Sequence, residues 1–185
     1  MPPRRRVSSA PDQTLETPRL RLEPLVAAHA KHLFAPLRDE RLYRYEAFEP
    51  PMSVAELEAR YAVLETRRSP DGSEGWLNWV VRLHDGTFVG RVQATVRADH
   101  TIIGYDIFVP YWRNGYGKES CAAMLAFLER DCDLTVFRAY VDIENVASIA
   151  LLESLGFERV WTGPSEDLPG RTDYRYERDV KAARR

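Results

Sequence analysis

Two glycines two residues apart, Gly115 and Gly117, lie where the sequence most clearly predicts chemistry. A strand-like run, 102–109, precedes them, and a helix-like run, 118–130, follows. Glycines at such a turn let the backbone approach a ligand closely, and the start of a helix offers unpaired N–H groups at the positive end of its dipole. With Arg113 and Lys118 nearby, the turn predicts an anion site suited to phosphate or pyrophosphate. Taken alone, the same spacing also fits a tight turn that binds nothing.

A second segment, residues 145–157, follows the next strand-like run and has the residues of a helix start. Asn145 suits the N-cap position, because its side chain can accept a hydrogen bond from a backbone N–H one turn later. An amide at this position can also contact a ligand. Ser148 lies one helical turn further on, on the same face. Its hydroxyl is either an ordinary polar group of the first turn or a hydrogen-bond donor to a reacting atom.

The elements that would hold these two segments follow from hydrophobic periodicity and turn signals. They predict the order β-α-α-βββ-α-β-α-ββ, in which an antiparallel meander leads into one right-handed β-α-β crossover. Strands are predicted at 19–25, 77–83, 88–96, 102–109, 136–143, 157–162 and 172–180, and helices at 26–38, 53–68, 117–131 and 145–155. The fold class is therefore α+β, or mixed α/β, in a single domain.

Composition limits the class of protein further. The 185 residues are 44% hydrophobic and carry a net charge of -2, which predicts a folded domain without the basic field that favours nucleic acid. Residues 1–14 are predicted to be an N-terminal arm without a secretory signal, 15–180 the domain, and 181–185 a tail. No apolar run is long enough to span a membrane. The cysteines and histidines show no metal-site spacing. We therefore expect a cytoplasmic protein that uses no metal and binds neither nucleic acid nor membrane.

Several short motifs occur in order along residues 15–180. They are the run 15–22, Val89-Gly90, Gly104-Tyr105-Asp106-Ile107, Tyr111-Trp112-x-x-Gly115-Tyr116-Gly117-x-Glu119, and Asn145-x-x-Ser148-x-x-Leu151-x-x-x-Leu155-Gly156-Phe157. Together they resemble the GNAT superfamily of acyl-CoA-dependent N-acetyltransferases, and within it the ribosomal-protein (RimJ/RimL-like) branch. The resemblance implies a central, mostly antiparallel sheet with one splayed parallel strand pair and flanking helices. It also implies acetyl-CoA as the cosubstrate and direct attack by an amine acceptor in a ternary complex.

The resemblance also implies roles for particular residues. The family's pyrophosphate loop maps onto 112–117, so the CoA pyrophosphate is expected to be bound by the backbone N–H groups of Arg113, Asn114, Gly115, Tyr116, Gly117 and Lys118. Phe108 and Val109 are expected beside the pantetheine arm, where an N–H of one of them would polarise the thioester carbonyl. Asn145 is expected to contact the cofactor arm, and Ser148 the departing thiolate. Glu119 is expected to point away from the bound phosphates, which would repel it.

The acceptor side is less well defined by the sequence. Many relatives carry a glutamate just before the Ile-Gly-Tyr run, and Ile102 occupies that position here. Asp106 is the nearest acid on the same strand and is the candidate catalytic carboxylate, with a structural hydrogen bond as the alternative. Glu46 and Glu49 either line the acceptor pocket or face solvent. The sequence does not identify the general base. The acceptor is either a peptide N-terminus or a small-molecule amine, and the protein is either a monomer or a homodimer.

Two other classes of function compete with an acetyltransferase. The absence of the usual glutamate at Ile102 suits a non-catalytic acyl-CoA-binding module with a regulatory role, which would bind the cofactor without turning it over. A nucleic-acid-binding module is disfavoured by the slight excess of acidic residues. Release of free thiol in the presence of an amine would distinguish the enzyme from the regulatory module.

Overall fold

The computed structural model describes residues 13–180, which form one sheet of eight strands with four helices. The strands are β1 (Leu15–Glu16), β2 (Leu20–Pro24), β3 (Gly75–Leu83), β4 (Phe88–Val96), β5 (Thr101–Ile107), β6 (Val136–Asp142), β7 (Glu158–Pro164) and β8 (Thr172–Asp179). The helices are α1 (Ala30–Leu33), α2 (Val54–Glu65), α3 (Tyr116–Arg130) and α4 (Val146–Ser154). This architecture confirms the predicted mixed α/β class.

The topology of the sheet creates one opening. The strand order is β1-β2-β3-β4-β5-β6-β8-β7, and every neighbouring pair is antiparallel except β5 and β6. Helix α3 makes the crossover between these two, because parallel neighbours need a long connection. They pair only where Thr101 faces Phe137 and Ile102 faces Arg138. Beyond those residues the two strands separate, which confirms the predicted splayed parallel pair.

The side chains of the strands alternate between two apolar clusters, one on each face of the sheet. In β3, Trp79 and Val81 belong to the larger cluster, together with buried residues of α3 and Leu152 of α4. Val80, between them, belongs to the smaller cluster, which α1 and α2 complete. Helices therefore cover both faces of the sheet, and the separation of β5 from β6 lies between two packed layers.

Some predicted boundaries differ from the structure. The helix predicted at 26–38 is the single turn α1 between two 3-10 turns; Pro36 explains its end, because proline has no N–H for a helix interior. The strand predicted to reach Val109 ends at Ile107, and a 3-10 turn, Val109–Tyr111, follows it. Strand β1 is absent from the sequence-based prediction, since two residues show no periodicity. Most of the predicted arm and the whole predicted tail lie outside the described residues.

Candidate active site

The separation of β5 from β6 leaves one edge of β5 without a strand partner. Phe108 donates its N–H to the Val89 carbonyl of β4 at 2.8 Å, and the backbone groups of successive strand residues point in alternate directions. The groups of Tyr105 and Ile107 therefore point away from β4 and into the gap. An extended ligand with its own amide groups can bind to such an edge as an added strand does.

Only one of the two residues expected to polarise a carbonyl has a free donor. The Phe108 N–H is bound to Val89, its carbonyl accepts from Tyr111 at 2.8 Å, and its ring is fully buried. Phe108 therefore has no free N–H with which to polarise a thioester carbonyl, which corrects that part of its expected role; its contact with the cofactor arm stays a prediction. The Val109 N–H has no acceptor within residues 13–180. Of these two residues, only Val109 therefore keeps a free N–H.

The turn between β5 and α3 has the backbone conformation of an anion site. Arg113 and Gly115 have φ angles of 63° and 78°, in the left-handed region that glycine adopts at little cost. Glu119 is the first residue whose N–H is bonded within the helix, to Gly115 at 3.1 Å. The N–H groups from Arg113 to Lys118 have no acceptor in the described part of the chain. The Arg113 and Lys118 side chains are exposed, so this turn, called the anion turn below, combines free donors with two cations.

Two contacts tie the anion turn to its surroundings. The indole N–H of Trp112 donates to the Ile107 carbonyl, which fixes the start of the turn to the end of β5. Gly117 is buried against α4, because a Cβ atom there would lie 2.8 Å from Leu151 Cδ1. Without that side chain, the first turn of α3 can pack against the helix that carries Ser148. The structure therefore brings both predicted segments to one end of the gap.

Glu119 points away from the anion turn, as expected. Its carboxylate accepts hydrogen bonds from the Thr17 hydroxyl at 2.6 Å and from the Arg19 backbone and side chain at 3.0 and 2.6 Å. Arg19 also donates to the Asn114 carbonyl at 2.9 Å and lies 4.8 Å from the ring centre of Tyr116. The residues between β1 and β2 therefore clamp the anion turn from outside.

We expect Glu119→Gln to loosen this clamp. Burial favours a higher pKa, but the hydrogen bonds from Thr17 and Arg19 outweigh it and lower the pKa of Glu119 from 4.5. The stabilisation is therefore complete above pH 4.5 and is lost as the pH falls through the lower folded-state pKa. At neutral pH the variant should lose about 1 kcal/mol of unfolding free energy and bind the expected cofactor about fivefold more weakly. Urea unfolding across pH and calorimetry measure these effects.

Glu129→Gln provides the matched control. Glu129 lies near the opposite end of α3 and pairs with Arg178 at 2.8 Å. Its substitution should lower stability to a similar degree without changing cofactor affinity, because it leaves the anion turn untouched. If Glu119→Gln were no less stable than the wild type at neutral pH, the clamp would have no energetic role.

Asn145 is the N-cap of α4 in the structure. Its Oδ1 accepts the Ser148 N–H at 3.1 Å, while its side-chain NH₂ group has no acceptor among residues 13–180. The amide can therefore cap the helix and still donate to a ligand in the gap. The hydroxyl oxygens of Ser148 and Tyr105 lie 2.6 Å apart. In the sequence Tyr105 stands out only as part of a motif, whereas in the structure it directly contacts Ser148.

Asp106 forms an ion pair across β4 and β5. It stands opposite Arg91 in the strand register, and the Arg91 guanidinium donates to its carboxylate. Arg91 also lies 3.4 Å from the Tyr61 hydroxyl. Burial favours a lower pKa for Arg91, but Asp106 and Tyr61 outweigh it and raise the pKa. The contact matches the alternative in which Asp106 makes a structural hydrogen bond, because its carboxylate already pairs with the permanently charged Arg91 guanidinium.

Glu46 is the acid whose surroundings best suit a general base. Burial of the carboxyl, then the charge of Asp106 and that of Asp167, raise the pKa of Glu46 to about 7 against an opposing effect of Arg91. The residue as a whole is exposed, which leaves it accessible to an acceptor. The charge of Glu46 also raises the pKa of Tyr105, although burial is the larger cause. The charge of Glu46 is therefore coupled to those of Asp106 and Tyr105.

A group of contacts joins the loop of Glu46 to the start of α4. The Tyr45 hydroxyl donates to the Glu144 carbonyl at 3.2 Å. The Arg171 guanidinium lies 5.8 Å from the Tyr45 ring centre and pairs with Asp142 and Glu144 at 3.0 and 3.3 Å. These contacts join the loop of Glu46 to the residues just before α4.

Among residues 13–180, no group of three or more His, Cys, Asp or Glu side chains is arranged to hold a metal ion. None of the helices in this range has the length and apolar character needed to cross a membrane.

Comparison with known proteins finds similar sequences and similar folds. A family model described as an acetyltransferase (GNAT) domain matches residues 19–158. The uncharacterized N-acetyltransferase YoaA of Bacillus subtilis strain 168 is 27% identical over 152 residues, which cover 78% of this chain and 82% of that protein.

Two solved structures show how closely the fold is shared. RimJ of Mycobacterium smegmatis in complex with CoA-disulfide has a TM-score of 0.80 at 20% identity, covering 94% of this chain and 90% of that one. A putative ribosomal-protein-serine acetyltransferase from Vibrio cholerae has a TM-score of 0.72 at 24% identity, covering 91% and 98%. At these identities the likeness shows a common fold.

Proposed function

Since the chain belongs to the GNAT family of acetyltransferases, we propose that it moves the acetyl group of acetyl-CoA to a primary amine by direct attack in a ternary complex. Family membership makes the protein an acetyl-CoA-dependent N-acetyltransferase. The acceptor is an N-terminal α-amine of a protein or the amine of a small molecule. Residues 15–180 form the catalytic domain in this proposal, as a monomer or homodimer in the cytoplasm.

One observation carries the proposal: the free edge of β5 leads to the free N–H groups of the anion turn. The pantetheine amides pair with the backbone of Tyr105 and with the N–H of Ile107 inside the gap, since the Ile107 carbonyl already accepts from Trp112. The pyrophosphate then lies on the donors of the anion turn, with Arg113 and Lys118 beside it. The Asn145 amide donates to the cofactor arm from the opposite wall.

The residues around the rest of the gap supply the chemistry. The thioester lies beyond the pantetheine amides, where a backbone N–H on the free edge of β5 donates to its oxygen and stabilises the negative charge that develops there. The Val109 N–H, between Ile107 and the anion turn, donates to the cofactor arm. Glu46 takes a proton from the attacking amine, and a carboxylate with a pKa near neutral suits this transfer. The new C–N bond forms, the C–S bond breaks, and the Ser148 hydroxyl donates a hydrogen bond to the departing thiolate.

Direct attack is supported by where the cysteines lie. Cys121 is fully buried in the core, and burial raises the pKa of its thiol. Cys132 follows the far end of α3, and burial raises its pKa as well. A nucleophilic cysteine must ionise and reach the substrate, and neither thiol is placed to do so. The amine itself is therefore the nucleophile.

The basicity of the acceptor bears on which amine is used. An α-amino group has a pKa of about 8 and a lysine-type amine about 10, so an α-amine needs less help to become neutral. A protein of similar fold, RimL, is a ribosomal L7/L12 alpha-N-protein acetyltransferase, which supports testing peptide N-termini first. Small-molecule amines form the second group of acceptors to test.

The test of the proposed function has two measurements. Isothermal calorimetry should show acetyl-CoA binding with a stoichiometry of one per chain, and a thiol-release assay should show turnover with at least one class of amine. Peptides with free N-termini and a panel of polyamines and other small amines cover the proposed acceptors. Absence of acetyl-CoA binding to the folded wild type would contradict the proposal.

The competing function is a non-catalytic acyl-CoA-binding module. It is supported by Ile102, which stands where many relatives carry a glutamate. It predicts tight binding of acetyl-CoA with no thiol release for any amine. Glu46 weighs against it, because a carboxylate with a pKa of about 7 at the gap supplies an alternative base.

A further inference from the structure

Ser148 and Tyr105 connect the two walls of the gap. Tyr105 belongs to β5 and Ser148 to the first turn of α4, and their hydroxyl oxygens lie 2.6 Å apart. The Tyr105 hydroxyl also lies 3.3 Å from the Ser148 carbonyl. The Ser148 N–H donates to Asn145, so the cap fixes the backbone position of Ser148. Both the backbone and the side chain of Ser148 are therefore held by named partners.

We infer that Tyr105 is a positioning residue that donates its phenolic hydrogen to Ser148 and leaves the serine hydroxyl hydrogen free for the thioester sulfur. This inference rests on the proposed function and adds a residue to it. The Tyr105 phenol carries one hydrogen and has two possible acceptors on Ser148. The hydroxyl oxygen at 2.6 Å is closer to the usual O–H···O distance than the carbonyl oxygen at 3.3 Å. Once Ser148 accepts from Tyr105, its own hydrogen is free to point into the gap.

The protonation state of Tyr105 fits this direction of donation. Burial is the main cause that raises the pKa of Tyr105; Cys121 and Glu46 raise it as well, and the hydrogen bond with Ser148 opposes them. The phenol therefore stays protonated at the pH where an amine acceptor reacts. It does not give up its proton, because a phenolate would be left in a buried site. The thiolate, with an ordinary thiol pKa of about 8.5, needs only the Ser148 hydrogen bond to leave.

The test is a double-mutant cycle of Tyr105→Phe and Ser148→Ala on kcat. Ser148→Ala should lower kcat roughly tenfold or more, since it removes a hydrogen bond to a developing charge. Tyr105→Phe should lower kcat roughly fivefold in the wild-type background and leave it nearly unchanged in the Ser148→Ala background. The affinity for acetyl-CoA should stay the same in all three variants. A residue that merely supports the core would act equally in both backgrounds.

Tyr176→Phe is the control for loss of a tyrosine hydroxyl near α4. Tyr176 is buried and donates to Glu153 of α4 at 2.9 Å, outside the set of gap residues described above. It should change thermal stability but not kcat. If Tyr105→Phe changes kcat equally in both backgrounds, or in neither, the inference is wrong. The proposed function still holds in that case, provided that the wild type turns over. A wild type that does not release thiol would instead remove the proposed function and this inference together.

Discussion

Gly115→Glu should reduce the affinity for acetyl-CoA on the order of hundredfold, the largest effect expected from any change on the cofactor side. Gly115 has a φ angle of 78° at the centre of the anion turn. Any residue with a side chain is strained there, at a cost of about 1 kcal/mol. A glutamate also brings a negative charge to a turn proposed to hold pyrophosphate.

The charge is expected to outweigh the strain. Two like charges about 4 Å apart repel by about 4 kcal/mol at an effective dielectric constant of about 20, and salt removes part of that. A Cβ atom at Gly115 would lie 3.4 Å from the Arg19 guanidinium. A glutamate that pairs with Arg19 would draw it away from Glu119 and loosen the clamp. The new glutamate therefore weakens cofactor binding whether it faces the pyrophosphate or pairs with Arg19.

Three variants separate these causes in a calorimetric titration with acetyl-CoA. Gly115→Ala adds the backbone strain without the charge and should weaken binding by about fivefold. Gly72→Glu is the matched control, because Gly72 also has a positive φ of 69° and no atom near its Cβ position. It lies in the loop between α2 and β3 and should not change the affinity. Wild-type affinity in Gly115→Glu would show that the cofactor phosphates bind elsewhere.

The features that the sequence predicts well depend on residues that are close together in the sequence. The left-handed Gly115 and the N-cap Asn145 are set by their own residue types and nearest neighbours, and both are found in the structure. The register of β4 with β5 could also be predicted. The turn after Val96 fixes which residues face each other, and counting outward from it pairs Arg91 with Asp106.

The contacts that complete the site depend on topology, which local patterns do not contain. Tyr105 and Ser148 are 43 residues apart in sequence, and Tyr45 and Glu144 are 99 apart. Each pair meets only because α3 crosses over and returns the chain beside β5. The distinction between Phe108 and Val109 depends on where β5 ends, and a boundary error of two residues is enough to misplace the donor.

Glu46→Gln should lower kcat roughly 100-fold or more, because a positioned base typically contributes about 10² to 10⁴ to the rate. The pH profile provides the sharper test. Burial and neighbouring carboxylates raise the pKa of Glu46 to about 7, so the wild-type kcat should fall below neutral pH as the base becomes protonated. The glutamine variant should lose that acidic limb and keep its affinity for acetyl-CoA.

The same pKa makes an opposite prediction for stability. A carboxyl whose pKa is raised from 4.5 to about 7 binds its proton more tightly in the native state than in the unfolded chain. The wild type should therefore lose stability as the pH rises from 4.5 towards 7. The glutamine variant should not, because its side chain does not ionise. Above neutral pH, Glu46→Gln should be more stable than the wild type and far less active.

Glu49→Gln is the control that makes this result specific. Glu49 lies three residues further along the same exposed loop, so its substitution makes the same chemical change close to Glu46. If Glu46 is the base, Glu49→Gln should keep both kcat and the acidic limb of the profile. An equal loss of kcat in both variants would mean that the loop acts only through its negative charge. An acidic limb that is unchanged in Glu46→Gln would assign the titration to another group. A gain of stability with a loss of turnover, confined to Glu46→Gln, is the combination that only a destabilised, functional carboxylate produces.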